Sequence, residues 1–184
     1  MGSEMCIRDR VKAGTDHFVF YQEAMQYWTK SAIGLPYYAK NGKVGAPAHG
    51  RYLYCKNAST AAVIHALINS SLFYAYFVTF SDCFHLGDKL VRSFPISEKI
   101  QRDKTLVALG EKLQKELKKN SSKKMINTKA GDKIEYAEFF ASESKTTLDE
   151  VDSVLAKHFK LNSAETDFVQ SFDAKYRCGI EAEQ

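Results

Sequence analysis

Cysteine is scarce in this sequence, and its four cysteines lie far apart. There is no Cys-x-x-Cys pair and no signal-peptide pattern, so reduced thiols and a cytoplasmic location are expected. Cys83 and His85 are two potential metal ligands, but the chain offers no second pair to complete a tetrahedral zinc site. We therefore expect no bound metal.

Proline and glycine are also sparse, with three and ten residues. Pro36, Pro47 and Pro95 are never adjacent, and no two glycines are separated by a single residue. The glycine-rich turn that cradles many cofactors needs such closely spaced glycines. No cofactor site is therefore expected in this chain.

The densest apolar and aromatic run extends from Ser59 to Ile96, and it predicts the core of the fold. Asn57, Ser59 and Thr60 favour a helix start, and Ser70 or Ser71 favours a second helix after a kink. The row Phe73, Tyr76, Phe77 and Phe80 is expected to be core. Pro95 predicts an extended Phe94, so residues 90–96 are expected to end as a strand or extended segment. The run is long enough to span a membrane, but its polar middle argues against a span.

The flanking segments predict small strands before this core and helices after it. Residues 17–55 suggest short strands, a helical turn over Glu23 to Thr29 and a hairpin at Asn41-Gly42. Residues 98–117 predict one amphipathic helix capped by Ser97, followed by a polar loop or hairpin turn over residues 120–131. Two more helices are predicted, one begun by Thr146 or Thr147 and one capped by Ser163.

The fold class is therefore expected to be α+β and mainly helical. A small irregular β/loop region packs on two aromatic helices, followed by a long amphipathic helix and a C-terminal helical tail. Residues 1–10 fit nothing that follows and resemble a translated sequencing-adapter tract, so we expect a fragment whose native part starts later. The other expected units are residues 11–97, 98–133 and 134–184.

Charge is distributed unevenly along these units. Residues 1–97 carry a net charge of +4, residues 98–133 carry +6 and residues 134–184 carry −6. A basic front and middle suit a chain that faces a polyanion, whereas the acidic tail suits contact with protein or water.

A specific order of elements occurs in residues 68–97: an Asn-Ser-Ser-Leu-Phe-Tyr junction, an aromatic helix, a polar turn and a Phe-Pro-Ile exit. This order resembles the target-recognition region of adenine-specific (N6) DNA methyltransferases of restriction-modification systems. These include type II enzymes that combine restriction and methylation. The resemblance continues over residues 17–54 and 131–179, nearly the whole chain.

The resemblance implies that this chain selects a DNA sequence for a larger enzyme. In the family, a glycine-rich turn binds S-adenosylmethionine and an Asn-Pro-Pro-Tyr segment holds the flipped adenine. Neither motif is in this sequence, so the chain alone is expected to be inactive. Its implied partners are double-stranded DNA and the missing N-terminal catalytic domain of the same protein, without a membrane.

Two loop groups are implied to face the DNA, where cations contact phosphates and polar side chains reach base edges. They comprise Lys30, Lys40, Asn41, Lys43, His49 and Arg51, and then His85, Lys89 and Arg92. Ordinary surface charge is the alternative for each of them.

Two groups of residues contain the residue types of known active sites, but their spacing or surroundings do not suit catalysis. Asp103, Glu116 and Lys118 have the order of a nuclease motif, but positions two apart on a helix point to different faces. Ser81, Asp82 and His85 lack an oxyanion loop that would make them a hydrolytic set. No catalytic residue is assigned.

Two other classes of function stay open. A helical protein-interaction or scaffold module is favoured if the basic residues are scattered over all faces. A membrane-associated segment is favoured if residues 61–80 lie exposed in the fold.

Overall fold

Seven strands occur within residues 16–178, the part of the chain that the computed structural model describes. They are β1 (Phe18–Gln22), β2 (Ser31–Ile33), β3 (Tyr38–Lys40), β4 (Lys43–Val44), β5 (Gly50–Tyr54), β6 (Ser122–Asn127) and β7 (Lys133–Glu138). They form two antiparallel sheets, ordered β2-β1-β5 and β4-β3-β7-β6. The expectations for residues 1–10 lie outside the described range.

Eight α-helices complete the described range, so the fold is mixed α+β and mainly helical, as predicted. They are α1 (Ala58–Asn69), α2 (Ser71–Phe80), α3 (Asp88–Ser93), α4 (Glu98–Gln101), α5 (Lys104–Lys119), α6 (Lys145–Phe159), α7 (Ser163–Ser171) and α8 (Ala174–Cys178). A short 3-10 turn, Ser142–Ser144, leads into α6.

The two predicted core helices are present with their predicted caps. The Asn57 side chain accepts a hydrogen bond from the backbone N–H of Thr60, and the Ser70 hydroxyl accepts one from Phe73 N–H. Within residues 16–178 no single helix is long and apolar enough to cross a membrane; α1 and α2 together have that length but are bent by 62°. Residues 61–69 are buried.

A fully buried carboxylate adds a second cap to α2. Asp152 of α6 accepts hydrogen bonds from the backbone N–H groups of Ser71 and Leu72 at 3.2 and 3.1 Å. Burial raises the pKa of this carboxyl group, although the two N–H groups favour its ionised form. The contact fixes the start of α2 against the tail helices.

Helices α1 and α5 pack closely at a glycine. A Cβ atom at Gly110 would lie 2.1 Å from the carbonyl oxygen of Ala62. Strand residues Val19, Tyr21 and Leu53 share the same buried cluster with α1, so the first sheet is fixed to these helices.

Several local predictions are corrected by the structure. Residues 90–93 are helical in α3 rather than extended, because the constraint imposed by Pro95 reaches back only to Phe94. The predicted helix over residues 98–117 is two helices, since Asp103 caps a new start at Lys104. Phe80, expected in the core, is 66% exposed at the end of α2.

Other corrections concern turns and helix starts. Residues 23–29 form bends instead of a helical turn, although Met25 and Trp28 are buried as expected. Helix α6 begins at Lys145, and Asn162 rather than Ser163 caps α7 through a capping box with Glu165. The Asn41-Gly42 hairpin is confirmed, with φ values of 51° and 78°.

Candidate nucleic-acid interface

Three of the predicted DNA-facing residues lie on the four-stranded sheet at the turn between β3 and β4. The Lys40 ammonium pairs with Asp132 at 2.6 Å. The Asn41 side chain donates to Asp132 and accepts from the backbone N–H of Lys133, both at 2.8 Å. Lys43 is exposed beside them. The hairpin turn is thereby fixed to the turn before β7.

Four lysines that the sequence-based site did not include join these residues on the same sheet. They are Lys123 and Lys124 on β6, Lys129 in the following turn and Lys133 on β7. The lysine sheet, defined as β3, β4, β6, β7 and their turns, therefore carries six lysines against Asp132, Glu135 and Glu138. Its excess of positive charge is solvent-exposed, because all of β6 is exposed.

The lysine sheet carries cations on both of its faces. Lys123 lies with its Nζ 4.6 Å from the centre of the Tyr37 ring, and the Tyr37 hydroxyl donates to Glu135 at 3.2 Å. On the other face, Lys124 pairs with Glu138 at 2.8 Å and lies opposite Tyr136. Lys43, Lys123 and Lys129 make no ion pair within the described part of the chain.

The predicted arginines lie elsewhere, in an arginine cluster defined by Tyr21, Glu23, Arg51, Asp88 and Arg92. Arg92 pairs with Asp88 at 2.8 Å, and Arg51 lies 3.7 Å from Asp88 while bonding Glu23. The Tyr21 hydroxyl also donates to Asp88. Two guanidinium groups thus meet two carboxylates, and the cluster carries little net charge.

The electrostatics of Asp88 follow from these contacts. Its burial opposes ionisation, yet the Tyr21 hydrogen bond and the Arg92 and Arg51 charges hold the pKa of its carboxyl group below the ordinary value. Burial and the Asp88 contact raise the pKa of Tyr21. The carboxylate is therefore ionised at neutral pH and ties β1 and β5 to α3.

Three further predicted residues surround the arginine cluster at the surface. His85 Nδ1 lies 2.7 Å from the Asp82 carboxylate. The backbone N–H of His85, its side chain and the N–H of Phe84 lower the pKa of Asp82. His49 and Lys89 are exposed. The carbonyl of His49 accepts from the backbone N–H of Glu23 at 3.1 Å, which joins the two loops.

Lys30, the remaining predicted residue, lies in a cleft between the two sheets. The cleft has a volume of about 380 Å³ and is lined largely by aromatic and apolar side chains, including Phe20, Tyr38, Ile134, Tyr136 and Phe139. Burial lowers the pKa of Lys30, Glu138 raises it and Lys124 lowers it further. The Nζ of Lys30 lies 5.8 Å from the centre of the Trp28 ring.

Comparison with family models, curated proteins and solved structures gave no match. The resemblance to methyltransferase recognition regions therefore stays a prediction. Among residues 16–178, no three His, Cys, Asp or Glu side chains converge as metal ligands. The lysine sheet, the arginine cluster and the cleft are the features on which a function can be argued.

The four additional lysines had one signal in the sequence, the basic segment over residues 98–133. That signal does not locate them, because β7 pairs with β3 across about a hundred residues: Tyr38 lies opposite Tyr136 and Lys40 opposite Ile134. Only this pairing puts the predicted hairpin and the basic segment in one sheet.

Proposed function

We propose that this chain is the sequence-recognising part of an adenine-N6 DNA methyltransferase of a restriction-modification system. The part that binds S-adenosylmethionine and transfers the methyl group would lie in another region of the same protein. The observation that carries the proposal is the lysine sheet, which puts six exposed or partly paired lysines on one small sheet. The sequence resemblance over residues 17–179 supports it.

The lysine sheet suits phosphate contacts better than the arginine cluster does. Lys43, Lys123 and Lys129 have no carboxylate partner among the described residues, so their charges are available to a polyanion. Arg51 and Arg92 are half-buried and neutralised by Glu23 and Asp88. We assign the arginines to positioning the loops, and the exposed His49, His85 and Lys89 to the edge of the DNA-binding surface.

The proposal predicts a salt-dependent affinity for duplex DNA that depends on the lysine sheet. Removing one lysine–phosphate interaction reduces the slope of log K against log salt by about 0.9. Replacing Lys43, Lys123 and Lys129 together by Ala should therefore reduce this slope by about one to two units, because Lys43 and Lys123 lie on opposite faces of the sheet and one duplex does not contact both. The measurement is fluorescence anisotropy with a labelled duplex at several salt concentrations.

A matched control removes the same charge from another surface. Lys115, Lys118 and Lys119 are exposed on α5. Their triple replacement by Ala should leave the slope near that of the unmodified protein. An equal fall in both triple variants would show that binding follows net charge alone and would refute the assignment to the lysine sheet.

A helical protein-interaction module is the second candidate, and one observation favours it. Phe168 of α7 and Tyr176 of α8 are 61% and 62% exposed, and Tyr176 stacks on the exposed Tyr27 at 5.1 Å. Large exposed aromatic side chains are typical of protein interfaces. Absence of duplex binding at low salt would favour this candidate over DNA recognition.

A further inference from the structure

The cleft between the two sheets has the shape and chemistry of a small planar-ligand site. Tyr38 and Tyr136, which lie opposite each other on β3 and β7, form one side, and the buried ring of Phe20 on β1, only 2% exposed, closes the other. Ile126 and Ile134 are opposite each other on the same face of the lysine sheet. Aromatic walls of this kind stack on flat rings.

Two charged side chains are among the residues that line this cleft. Lys30 supplies an ammonium donor and Glu138 a carboxylate acceptor, through the oxygen that Lys124 does not bond. Such a pair matches a ring edge that presents an acceptor beside an amino group, as adenine and cytosine do. The volume of about 380 Å³ lies near the lower end of the range for small-ligand sites, about 300–1,000 Å³. It suits one nucleoside and excludes a duplex.

The position of the cleft connects it to the proposed DNA surface. Lys43 lies on the cleft-facing side of the lysine sheet, since it is opposite Lys40, which is itself opposite Ile134. A strand whose phosphates contact Lys43, which has no ion-pair partner among the described residues, would pass beside the cleft. A nucleotide turned out of the helix would then bring its base to the aromatic walls.

We propose that the cleft between the two sheets binds one extrahelical nucleobase of the DNA held by the lysine sheet. This inference rests on the proposed function and adds the ligand class of a second site to it. Stacking on Tyr38 and Tyr136 supplies affinity, and the Lys30 and Glu138 side chains select the hydrogen-bonding edge.

The test compares a perfect duplex with the same duplex carrying one unpaired adenine bulge, by fluorescence anisotropy. The unmodified protein should bind the bulged duplex at least about fivefold more tightly, the gain expected for one base stacked on aromatic rings. Ala48→Trp fills the cleft from an exposed lining position and should remove this preference. Its affinity for the perfect duplex should not change.

Further variants separate the cleft from folding effects. Tyr136→Leu keeps an apolar side chain in the sheet and should also lose the preference. Tyr176→Leu makes the same change outside the cleft and should retain it; circular dichroism checks the fold of each variant. Equal affinity of the unmodified protein for both duplexes, or a preference that persists in Ala48→Trp, would overturn the cleft site alone. Binding to neither duplex would overturn the proposed function and this inference with it.

Discussion

At the scale of single residues, a buried polar network fixes β2 to α1. Asn69 donates to the Ser31 hydroxyl at 2.7 Å and to the backbone carbonyl of His65 at 2.8 Å, while its side-chain oxygen accepts from the backbone N–H of Ser31. His65 Nδ1 lies 3.1 Å from both the Ser31 hydroxyl and the Asn69 side-chain nitrogen, and its Nε2 is buried without a partner among the described residues. Thr29 donates to the carbonyl of Ile68 at 2.6 Å. Such buried polar groups specify one arrangement of strand and helix.

His65 makes stability depend on pH. Burial lowers the pKa of His65 from 6.5 to about 3 in the folded chain. The unfolded chain takes up a proton near pH 6.5, whereas the folded chain does not. The contribution of His65 to the free energy of unfolding is therefore complete above that pH and decreases as the pH falls. Lowering the pH from 7.5 to 5 should therefore reduce the free energy of unfolding by about 2 kcal/mol through this residue.

Urea unfolding at several pH values measures this effect. His65→Leu removes the titrating group and should remove this part of the pH dependence, whatever its effect on overall stability. His49→Asn changes an exposed histidine and should retain the pH dependence. If His65→Leu shows the same pH dependence as the unmodified chain, the assignment to His65 is wrong.

At the scale of secondary-structure elements, the contact between α1 and α5 depends on one missing side chain. Gly110 lies on a helix whose apolar side, including Leu106, Leu109, Leu113 and Leu117, is buried. Its Cα approaches the backbone of Ala62, where a methyl group has no room. The close approach of the two helices is therefore set by backbone contact.

Gly110→Ala should destabilise the chain, although Ala favours a helix by about 1 kcal/mol over Gly. The added methyl group meets a carbonyl oxygen, so the helices must separate, and overpacking of this kind costs about 1–3 kcal/mol. We expect a net loss of stability in denaturant unfolding. Gly87→Ala is the matched control, since a Cβ there meets nothing within 4 Å. A stabilised Gly110→Ala variant would show that the helices adjust freely.

At the scale of the whole molecule, the basic residues fall into two groups: one is exposed to solvent, and the other is paired with carboxylates and links elements of the fold. The lysine sheet presents its excess of cations to solvent, whereas the arginine cluster joins β1 and β5 to α3 with its charges balanced. Residues that look equivalent as basic loop positions in the sequence therefore have different roles in the fold.

Asp88→Ala should separate these two roles. It removes the acceptor shared by Tyr21, Arg51 and Arg92, and leaving such groups unpaired costs about 1–3 kcal/mol. If the arginines brace the fold, as proposed, stability falls and the salt dependence of DNA binding does not change. Glu98→Ala breaks the exposed pair with Arg102 and should change stability by less than about 0.5 kcal/mol. A steeper salt slope in Asp88→Ala would instead show that the released arginines contact DNA.

Several features of the fold could be predicted because they depend on neighbouring residues. The caps at Asn57 and Ser70, the Asn41-Gly42 turn and the extended Phe94 each follow from the side chain or ring of one or two residues. The short helix α3 could not be predicted because its support is tertiary: Val91 is fully buried against the core, and Asp88 holds both Arg92 and Arg51. Local patterns do not contain such contacts.

In the candidate site, too, the features set by neighbouring residues could be predicted, and those set by tertiary contacts could not. The sequence correctly places Lys40, Asn41 and Lys43 at a hairpin, but neither their pairing with β7 nor the addition of Lys123 and Lys124 could be predicted. Likewise, Arg51 and Arg92 were predicted in separate groups, and the structure brings them to one carboxylate.

The sequence by itself determined the helix caps, the hairpin turn, the mainly helical composition and the uneven charge along the chain, because these depend on local chemistry. Only the tertiary structure decided which cations are exposed and which are neutralised. It also decided that an aromatic cleft lies beside the lysines. The physical reason is that charge pairing and strand pairing act through space, between residues such as Tyr38 and Tyr136 that the chain separates widely.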